Sequence, residues 1–176
     1  MRFIETSVSG AWLVEPEARQ DDRGFFARLW SQDELTARGL PGTFVQCNNS
    51  LSRVKGTLRG LHYQAAPHAD AKLIRCISGR LFDVMVDMRP ESPTYRRWNG
   101  IELTAGNRAM VFVPAGCAHG YLALEDDCEV IYWATAPYVA GAERGIRWND
   151  PAIGIKWPVE PTVVSDKDRA WPDLAR

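Results

Sequence analysis

Residues 56–64, which read GTLRGLHYQ, carry an imidazole and a guanidinium between glycines. Strand alternation predicts that His62 and Gln64 share one face and that Arg59 points to the other. Glycine inside a strand often marks a bulge or the close approach of a ligand. Histidine is the side chain best suited to proton transfer near neutral pH. The stretch therefore indicates either a proton-transfer site or a buried core histidine beside a structural arginine.

The other two histidines make a three-histidine metal site conceivable but do not favour it. A strand that binds a metal usually supplies His-x-His, and Gln64 occupies the second position here. His68 lies in a predicted loop, so we predict no metal and no cofactor. His119 follows a Pro-Gly turn. It fits either a side chain that reaches into a barrel mouth or one that satisfies a buried backbone group.

Cationic and phenolic side chains lie on or beside neighbouring predicted strands. Arg59 and Lys72 would attract an anionic ligand such as a phosphate or an enolate. The alternative is a solvated rim paired with carboxylates. Tyr132 and Tyr138 offer a phenolic acid and a flat stacking surface, although tyrosine is also common in β cores.

Composition narrows the class of protein. The chain has 176 residues, a formal net charge of -1 and no C-x-x-C pair among its four cysteines. That length suits one domain, which we assign to 1–176. The charge gives no basic face for nucleic acid, and no apolar run has the length of a membrane span. Without a signal pattern at Met1 we expect a cytoplasmic protein with unpaired, core or near-core thiols and no membrane partner.

The elements that must position these side chains are mostly strands. Short strands are predicted around 3–4 and 11–14, and another over 23–30. Further strands follow near 43–50, 57–64, 72–77, 80–88, 97–103, 109–114, 118–125 and 128–135, the spacing of a β-sandwich or barrel.

Few helices are expected, and two capping signals place them. Ser31 and Glu34 form a predicted capping box for one short helix over 31–38, and Ser165 is predicted to cap a last helical turn. On the strand over 80–88, Asp83 and Asp87 share one face, and we interpret both as partnered structural carboxylates. The tail from about Tyr138 is predicted to form ordered loops packed over the barrel.

Segments spread almost from end to end, in one order, resemble the nucleotide-sugar 3,5-epimerases of the cupin superfamily. They are 22–26 (DRGFF), 44–48 (FVQCN), 58–64 (LRGLHYQ), 71–75 (AKLIR), 92–94 (SPT), 114–120 (PAGCAHG), 143–145 (ERG), 148–151 (WNDP) and 166–168 (DKD). So many motifs in one order are far more specific than any single motif.

The resemblance implies an all-β jelly-roll barrel with one or a few short helices. It also implies a homodimer that exchanges N-terminal strands, and catalysis without a metal. In that family the base position falls on His62, the carboxylate that orients it on Asp168, the proton donor on Tyr132, and a cation near the C4 oxygen on Lys72. The positions that hold sugar and diphosphate fall on Gln46, Asn48, Arg59, His119, Glu143 and Lys167. Arg23 would reach the nucleotide across the dimer, and Tyr138 would stack on the base.

These roles agree with the chemistry of a 4-keto sugar, whose C–H bonds at C3 and C5 are acidified. Inversion needs a base on one face of the ring and an acid on the other, so His62 and Tyr132 must be separate groups. The chain departs from the family at Arg28, which replaces a glutamate common in the rhamnose enzymes. A carboxylate accepts the N3–H of thymine and arginine cannot, so the nucleotide stays open. Trp133 and the Ala136-Pro137 pair also depart, which leaves inversion at C3 alone as an alternative.

The sequence therefore predicts an isomerase: an epimerase of an NDP-4-keto-6-deoxyhexose, acting at C3 and C5 or at C3 alone. It would serve synthesis of a surface polysaccharide or a glycosylated metabolite. Two alternatives stay open, a metal-dependent cupin oxygenase and a non-catalytic binder of nucleotide sugars.

Overall fold

A computed structural model describes residues 1–174 of the chain. Residues 175 and 176, the last two of the predicted domain, lie outside the described residues. The strands are β1 Arg2–Glu5, β2 Trp12–Glu15, β3 Arg19–Asp21, β4 Gly24–Phe26, β5 Gln46–Ser52, β6 Thr57–Gln64, β7 Lys72–Ser78, β8 Arg80–Asp87, β9 Trp98–Thr104, β10 Met110–Val113, β11 Cys117–Ala123, β12 Cys128–Ala134, β13 Glu143–Gly145 and β14 Val163–Val164. The helices are α1 Gln32–Thr36 and α2 Asp166–Arg169, with one 3-10 turn, Ala140–Ala142.

Two sheets build the jelly roll that the sequence predicts. The first has the order β1-β2-β10-β7-β12-β5, and the second has the order β13-β6-β11-β8-β9 with β14 beside β6. Inward side chains of both sheets form one core, in which Ile74 and Val111 of the first sheet pack with Leu81 and Met85 of the second. The sheets therefore face each other and enclose the space in which the site lies.

The outer face of each sheet is covered by irregular chain. Leu29, Leu40 and Phe44 pack against the apolar outer residues of the first sheet. Ile155 and Trp157 of the tail pack against the outer residues of the second sheet. The prediction of an ordered tail over the barrel is confirmed, and the apolar residues on the outer face of each sheet are covered by these segments.

Two expectations for the N-terminal part are wrong. The predicted strand over 23–30 is reduced to β4, which pairs only with β3 as a separate hairpin. Ser31 lies at the N-cap position of α1 but makes no side-chain capping hydrogen bond. Glu34 instead accepts a hydrogen bond from the amino group of Met1 at 2.9 Å. A full charge is a stronger partner than a backbone amide, so the capping box does not form.

Strict alternation along β6 is also wrong, because the pairing of β6 with β11 changes register between His119 and Tyr121. A register shift turns later side chains relative to earlier ones. Arg59 and His62 consequently line the same cavity although they lie three positions apart.

The cysteines are unpaired as expected, but the expected core or near-core location is wrong for one of them. All four thiols are free; Cys47 is exposed and the other three are buried. Burial raises the pKa of Cys76 to about 11 and that of Cys117 to about 12, so both thiols stay protonated. Among residues 1–174, no helix combines the length and the apolar character that a membrane crossing requires.

Candidate active site

A cavity of about 540 Å³ opens between the two sheets. This volume suits a small-molecule ligand. β5, β7 and β12 contribute its walls from the first sheet, and β6 and β11 from the second. The polar side chains on these walls and on the segments at the mouth include Gln46, Asn48, Ser50, Arg59, His62, Gln64, Asp70, Lys72, His119, Tyr121, Tyr132, Tyr138, Glu143, Lys167 and Asp168.

His62 forms a short hydrogen bond with a buried carboxylate. Its Nε2 lies 2.5 Å from Oδ1 of Asp168, and Asp168 is 4% exposed. Burial is the largest single influence on Asp168 and opposes its ionisation. The hydrogen bond and charge of His62, together with hydrogen bonds from Gly60 and Ser165, outweigh it in sum, so the pKa of this carboxyl lies below its usual range. An ionised Asp168 can only accept a hydrogen bond, so His62 carries its proton on Nε2 and donates it to the carboxylate. Nδ1 of the neutral ring then keeps a free lone pair. The pair can therefore act as an oriented base.

Helix α2 holds Asp168 in place. Ser165 is the N-cap of α2, and its side chain accepts a hydrogen bond from the backbone N–H of Asp168. The N–H of Gly60 donates to the second carboxylate oxygen at 3.3 Å. The predicted cap at Ser165 is confirmed, and it fixes the carboxylate that contacts His62.

A second carboxylate stands beside the free nitrogen of His62. Oε1 of Glu143 lies 3.7 Å from His62 Nδ1. Its Oε2 accepts hydrogen bonds from the Lys167 ammonium at 2.6 Å and from the Tyr138 hydroxyl at 2.9 Å. Burial opposes ionisation of Glu143, but these two donors lower its pKa nonetheless. Glu143 thus links the histidine to the groups at the cavity mouth.

Gln64 fixes the segments around that mouth. Its amide nitrogen donates to the carbonyls of His68 and Pro137, and its oxygen accepts from the N–H of Val139 at 2.6 Å. All these bonds join β6 to loops, so Gln64 is a structural tie rather than half of a metal-binding pair.

Lys72 and Tyr132 come from the first sheet, opposite His62. The Lys72 ammonium lies 3.5 Å from Oδ2 of Asp70, and its side chain is 15% exposed. Burial is the main reason, and the charge of Asp70 a second reason, why the pKa of Tyr132 is raised. The phenol therefore stays protonated at neutral pH and can donate a proton.

His119 forms a second histidine–carboxylate pair. Its Cα is in register with that of His62, and its Nε2 lies 2.8 Å from Oδ2 of the fully buried Asp83. Asp87 accepts hydrogen bonds from Arg89, Ser92 and Thr94. The interpretation of both aspartates as partnered carboxylates is confirmed.

The remaining polar wall belongs to β5 and to Arg59. Gln46 donates to Asn48 at 2.9 Å, so the two amides form one hydrogen-bonding surface. Arg59 donates to the Ser52 hydroxyl and to the carbonyl of Leu51. These bonds hold a fixed cation at the cavity, which suits an anionic ligand.

The sequence profile of one protein family, described as dTDP-4-dehydrorhamnose 3,5-epimerase, matches residues 5–176. The chain belongs to this family. The relative from Methanothermobacter thermautotrophicus that carries the same name is 46% identical over 98% of this chain and 94% of its own length. Family membership places the chain among the carbohydrate epimerases, which are isomerases.

Two solved structures agree with this placement. The dTDP-4-dehydrorhamnose 3,5-epimerase of Bacillus anthracis, solved with TDP and PPi bound, has a TM-score of 0.93 and 42% identity over 98% of this chain and 99% of that one. ChmJ is a 3'-monoepimerase from Streptomyces bikiniensis that was solved with dTDP-quinovose. It has a TM-score of 0.87 and 34% identity, over 96% of this chain and 85% of that one. The fold of the epimerase is that of both proteins.

Most of the predicted site residues of the epimerase meet in the one cavity. His62, Tyr132, Asp168 and Lys72 line it together with Gln46, Asn48, Arg59, His119, Tyr138, Glu143 and Lys167. Arg23 and Arg28 do not. The Arg23 side chain is 90% exposed beside Asp21, and that of Arg28 is 62% exposed and 3.4 Å from Glu34. Their proposed roles depend on a second copy of the chain.

Sequence reasoning missed the place of Asp70 in the cavity and the hydrogen bonds by which Gln64 holds the loops at its mouth. Asp70 precedes β7 outside any periodic pattern, and only its spacing of two residues from Lys72 hinted at a pair. Within residues 1–174, no group of three or more His, Cys, Asp or Glu side chains is arranged to hold a metal ion.

Proposed function

We propose that the chain inverts C3 and C5, or C3 alone, of an NDP-4-keto-6-deoxyhexose by removing and returning a proton through an enolate. One observation carries this proposal. His62 on the second sheet and Tyr132 on the first sheet line the same cavity, and Lys72 lines it from the same sheet as Tyr132. His62 is oriented by Asp168, and Tyr132 is protonated. Inversion at carbon needs these opposed groups.

His62 is the proposed base. As Nδ1 takes the proton of the C–H bond next to the ketone, the electron pair moves into the enolate. Asp168 stabilises the imidazolium that forms, because the carboxylate is ionised and hydrogen-bonded to the other nitrogen. Glu143 at 3.7 Å adds to this effect.

Lys72 and Tyr132 complete the proposed step. The enolate carries its negative charge on the C4 oxygen, and the Lys72 ammonium is a cation held at the wall where that oxygen would lie. Tyr132 then gives its hydroxyl proton to carbon from the opposite face. The resulting phenolate and the imidazolium return to their starting states by exchange with solvent.

The remaining polar residues of the cavity fit a sugar diphosphate. Arg59 and Lys167 supply cations for the phosphates. Gln46, Asn48 and His119 supply hydrogen bonds for sugar hydroxyls. Tyr138 is 57% exposed at the mouth, so its ring is free to stack on a base.

The N-terminal hairpin supports the proposal of a homodimer with exchanged strands. Every residue of β3 and β4 is exposed, and Phe26 is 72% exposed. An isolated two-stranded hairpin is marginal in water and needs a surface to cover it. Arg23 lies in the turn of this hairpin, where it would reach the partner's nucleotide.

The thymidine nucleotides bound by the two solved neighbours make a dTDP-linked sugar the first substrate to test. Arg28 keeps CDP-, GDP- and UDP-linked sugars in the panel, because arginine donates to acceptor atoms of a base. Deoxysugar synthesis in the cytoplasm is part of the proposal, and four unpaired cysteines agree with a reducing compartment.

The test is wash-in of solvent deuterium into each 4-keto sugar, followed carbon by carbon by NMR. Exchange and inversion at C3 and C5 support the proposal, and exchange at C3 alone selects the narrower reaction. Binding without exchange would identify a non-catalytic binder. Stoichiometric iron in the purified protein would favour the oxygenase.

His62→Ala and Asp168→Asn should each lower exchange by at least about 10³-fold, because the base or its orientation is lost. His68→Ala and Asp166→Asn are matched controls, since both side chains are exposed outside the cavity. Wild-type exchange in either dyad variant would remove the proposed base.

A further inference from the structure

The cavity contains one carboxylate that the proposed reaction does not use. Asp70 precedes β7 and is 7% exposed. It lines the cavity beside Lys72 and Tyr132. A buried carboxylate is costly unless it is well paired, so its presence at this wall needs a physical reason.

The pairing of Asp70 is incomplete. Oδ2 lies 3.5 Å from the Lys72 ammonium, which is an ion pair without close hydrogen-bond geometry. Oδ1 is buried and has no hydrogen-bond partner among residues 1–174. Asp70 therefore has one ion-pair partner at 3.5 Å and one oxygen that no donor of the described residues reaches.

Asp87 shows what a structural carboxylate of this chain looks like. It is fully buried, yet it accepts from the guanidinium of Arg89 at 2.8 Å and from the hydroxyls of Ser92 and Thr94. Both of its oxygens are satisfied, and none of these partners lines the cavity. Asp70 differs in both respects.

Asp83 also has a buried Oδ1 without a partner among residues 1–174, but its Oδ2 lies 2.8 Å from His119 Nε2 and its side chain does not line the cavity. Of these three carboxylates, Asp70 alone combines incomplete pairing with a place at the cavity wall.

We propose that Asp70 is a positioning residue of the site, which holds the Lys72 ammonium at the cavity wall beside Tyr132. This inference rests on the proposed function. The same charge acts on two groups at once: it keeps the cation of the enolate step in place, and it favours the protonated state that the acid needs.

The charge of Asp70 acts on the two groups in different ways: it holds the Lys72 ammonium by an ion pair, and it disfavours the phenolate form of Tyr132. The negative charge of Asp70 raises the pKa of Tyr132, in addition to the larger effect of burial. Loss of that charge should let the phenol lose its proton at lower pH. The alkaline limb of the reaction is therefore where Asp70 acts.

Asp70→Asn removes the charge and keeps the shape. We expect the alkaline limb of the inversion rate to move to lower pH, because a charge that raises the pKa of Tyr132 is lost. The acid limb should not move, because Asp70 makes no contact with His62 or Asp168. At neutral pH we expect kcat to fall about tenfold, since the ammonium is held less firmly, while KM changes less. Glu5→Gln, which removes an exposed carboxylate of β1 outside the cavity, is the control for net charge.

Ultraviolet titration of the phenolate needs no substrate and gives the second measurement. The component that disappears in Tyr132→Phe belongs to Tyr132, and in Asp70→Asn it should appear at lower pH. If Asp70→Asn does not fold, the wild-type titration can still overturn the inference, because burial and the charge of Asp70 both raise the pKa of Tyr132 above that of an ordinary tyrosine.

Three outcomes are distinct. An active wild type whose alkaline limb and phenolate titration are unchanged in Asp70→Asn overturns the inference. A Tyr132 that titrates at or below the ordinary tyrosine value overturns it as well. An inactive wild type on every sugar tested overturns the proposed function instead.

Discussion

At the scale of single residues, the site depends on how charge is shared around one imidazole. His62 lies between two ionised carboxylates, one at each ring nitrogen. The closer one, Asp168, is tied to the backbone and buried, so it fixes the ring. The more distant one, Glu143, accepts hydrogen bonds from Lys167 and Tyr138, two residues that are proposed to contact substrate. The Nε2 side of the His62 ring is therefore held by a buried carboxylate, and the Nδ1 side faces a carboxylate that is bonded to proposed substrate-binding residues.

Tyr132→Phe should separate exchange from inversion. Without the phenol, His62 still removes the proton and returns a deuteron to the same face, so label enters the sugar while its configuration is retained. We expect inversion to fall by at least about 10²-fold. Exchange and inversion are measured together by NMR in deuterated solvent.

Tyr121→Phe is the matched control, because Tyr121 lines the same cavity but its hydroxyl already bonds Ser50 and Ser52 at 3.2 Å. Inversion at the wild-type rate in Tyr132→Phe would show that another group delivers the proton.

Single residues also show what a sequence can and cannot reveal. His62, Lys72 and Tyr132 attract attention because their types fit the chemistry. Asp168 lies 106 positions from His62, and no local pattern joins them; only the resemblance to a family did. Asp70 escaped notice because its meaning depends on burial and on an unsatisfied oxygen, which no sequence pattern records.

At the scale of elements, turn chemistry and apolar runs predicted most strands well. β6 and β12 begin where expected, since their boundaries are set by local residues. The phase of β6 was wrong because the register shift against β11 is a property of two strands. The capping box was wrong because Glu34 found the amino terminus instead. Errors arose where a distant partner outweighed a local preference.

Gly60→Ala should damage both the fold and the site. Gly60 has a φ of +113°, and an added Cβ would lie 2.7 Å from the Cα of Gly120 and from the carbonyl oxygen of His119. Backbone cannot yield as a side chain can, so we expect a loss of about 3 kcal/mol in the free energy of unfolding.

Gly60→Ala also displaces the backbone N–H that donates to Asp168. The fraction of the variant that still folds should therefore show slower deuterium exchange into the substrate. Gly106→Ala is the control, because the nearest atom to its added Cβ is a side-chain oxygen at 3.7 Å. Chemical denaturation of both variants checks the prediction. Equal stability of the two would mean that β6 and β11 are not closely packed at Gly60.

Asp87, the last residue of β8 before its connection to β9, makes the free energy of unfolding depend on pH in the acid range. Burial opposes ionisation of Asp87, but hydrogen bonds from Arg89, Ser92 and Thr94 outweigh burial, so the pKa of Asp87 lies well below its usual range. A lowered pKa contributes stability above the unfolded value, about 3.9, and loses it as the pH falls below that value. Asp87→Asn should therefore cost about 2 kcal/mol at neutral pH.

The difference between Asp87→Asn and the wild type should shrink below about pH 4. Denaturation at a series of pH values measures it. Glu91→Gln, an exposed change in the same connection, should leave the pH dependence as it is. A constant difference down to low pH would contradict an ionised Asp87.

At the scale of the whole molecule, one protomer leaves two predicted site residues far from the cavity. Arg23 and Arg28 both belong to the exposed N-terminal hairpin and the segment after it. The single domain over 1–176 and the homodimer stay predictions. The N-terminal hairpin pairs with no other strand within residues 1–174 of its own chain. In the predicted homodimer, we expect a second copy of the chain to cover its exposed side chains.

Two variants of the hairpin distinguish assembly from nucleotide binding. Phe26→Ser removes the most exposed aromatic ring of β4, so we expect the mass in light scattering to fall from twice 19.8 kDa toward 19.8 kDa. KM should rise with it, because the partner's hairpin no longer reaches the cavity. Tyr95→Ser, an exposed aromatic between β8 and β9, is the control and should change neither.

Arg23→Ala should raise KM about tenfold and leave the dimer intact, because the guanidinium points to solvent from the turn and its loss removes a charge-assisted hydrogen bond to the nucleotide. If Phe26→Ser stays dimeric, the hairpin is not the interface. If Arg23→Ala binds substrate as tightly as the wild type, the hairpin holds the dimer together without serving the site. Only a rise in KM in both variants, with dissociation in one, supports a cavity completed by the partner subunit.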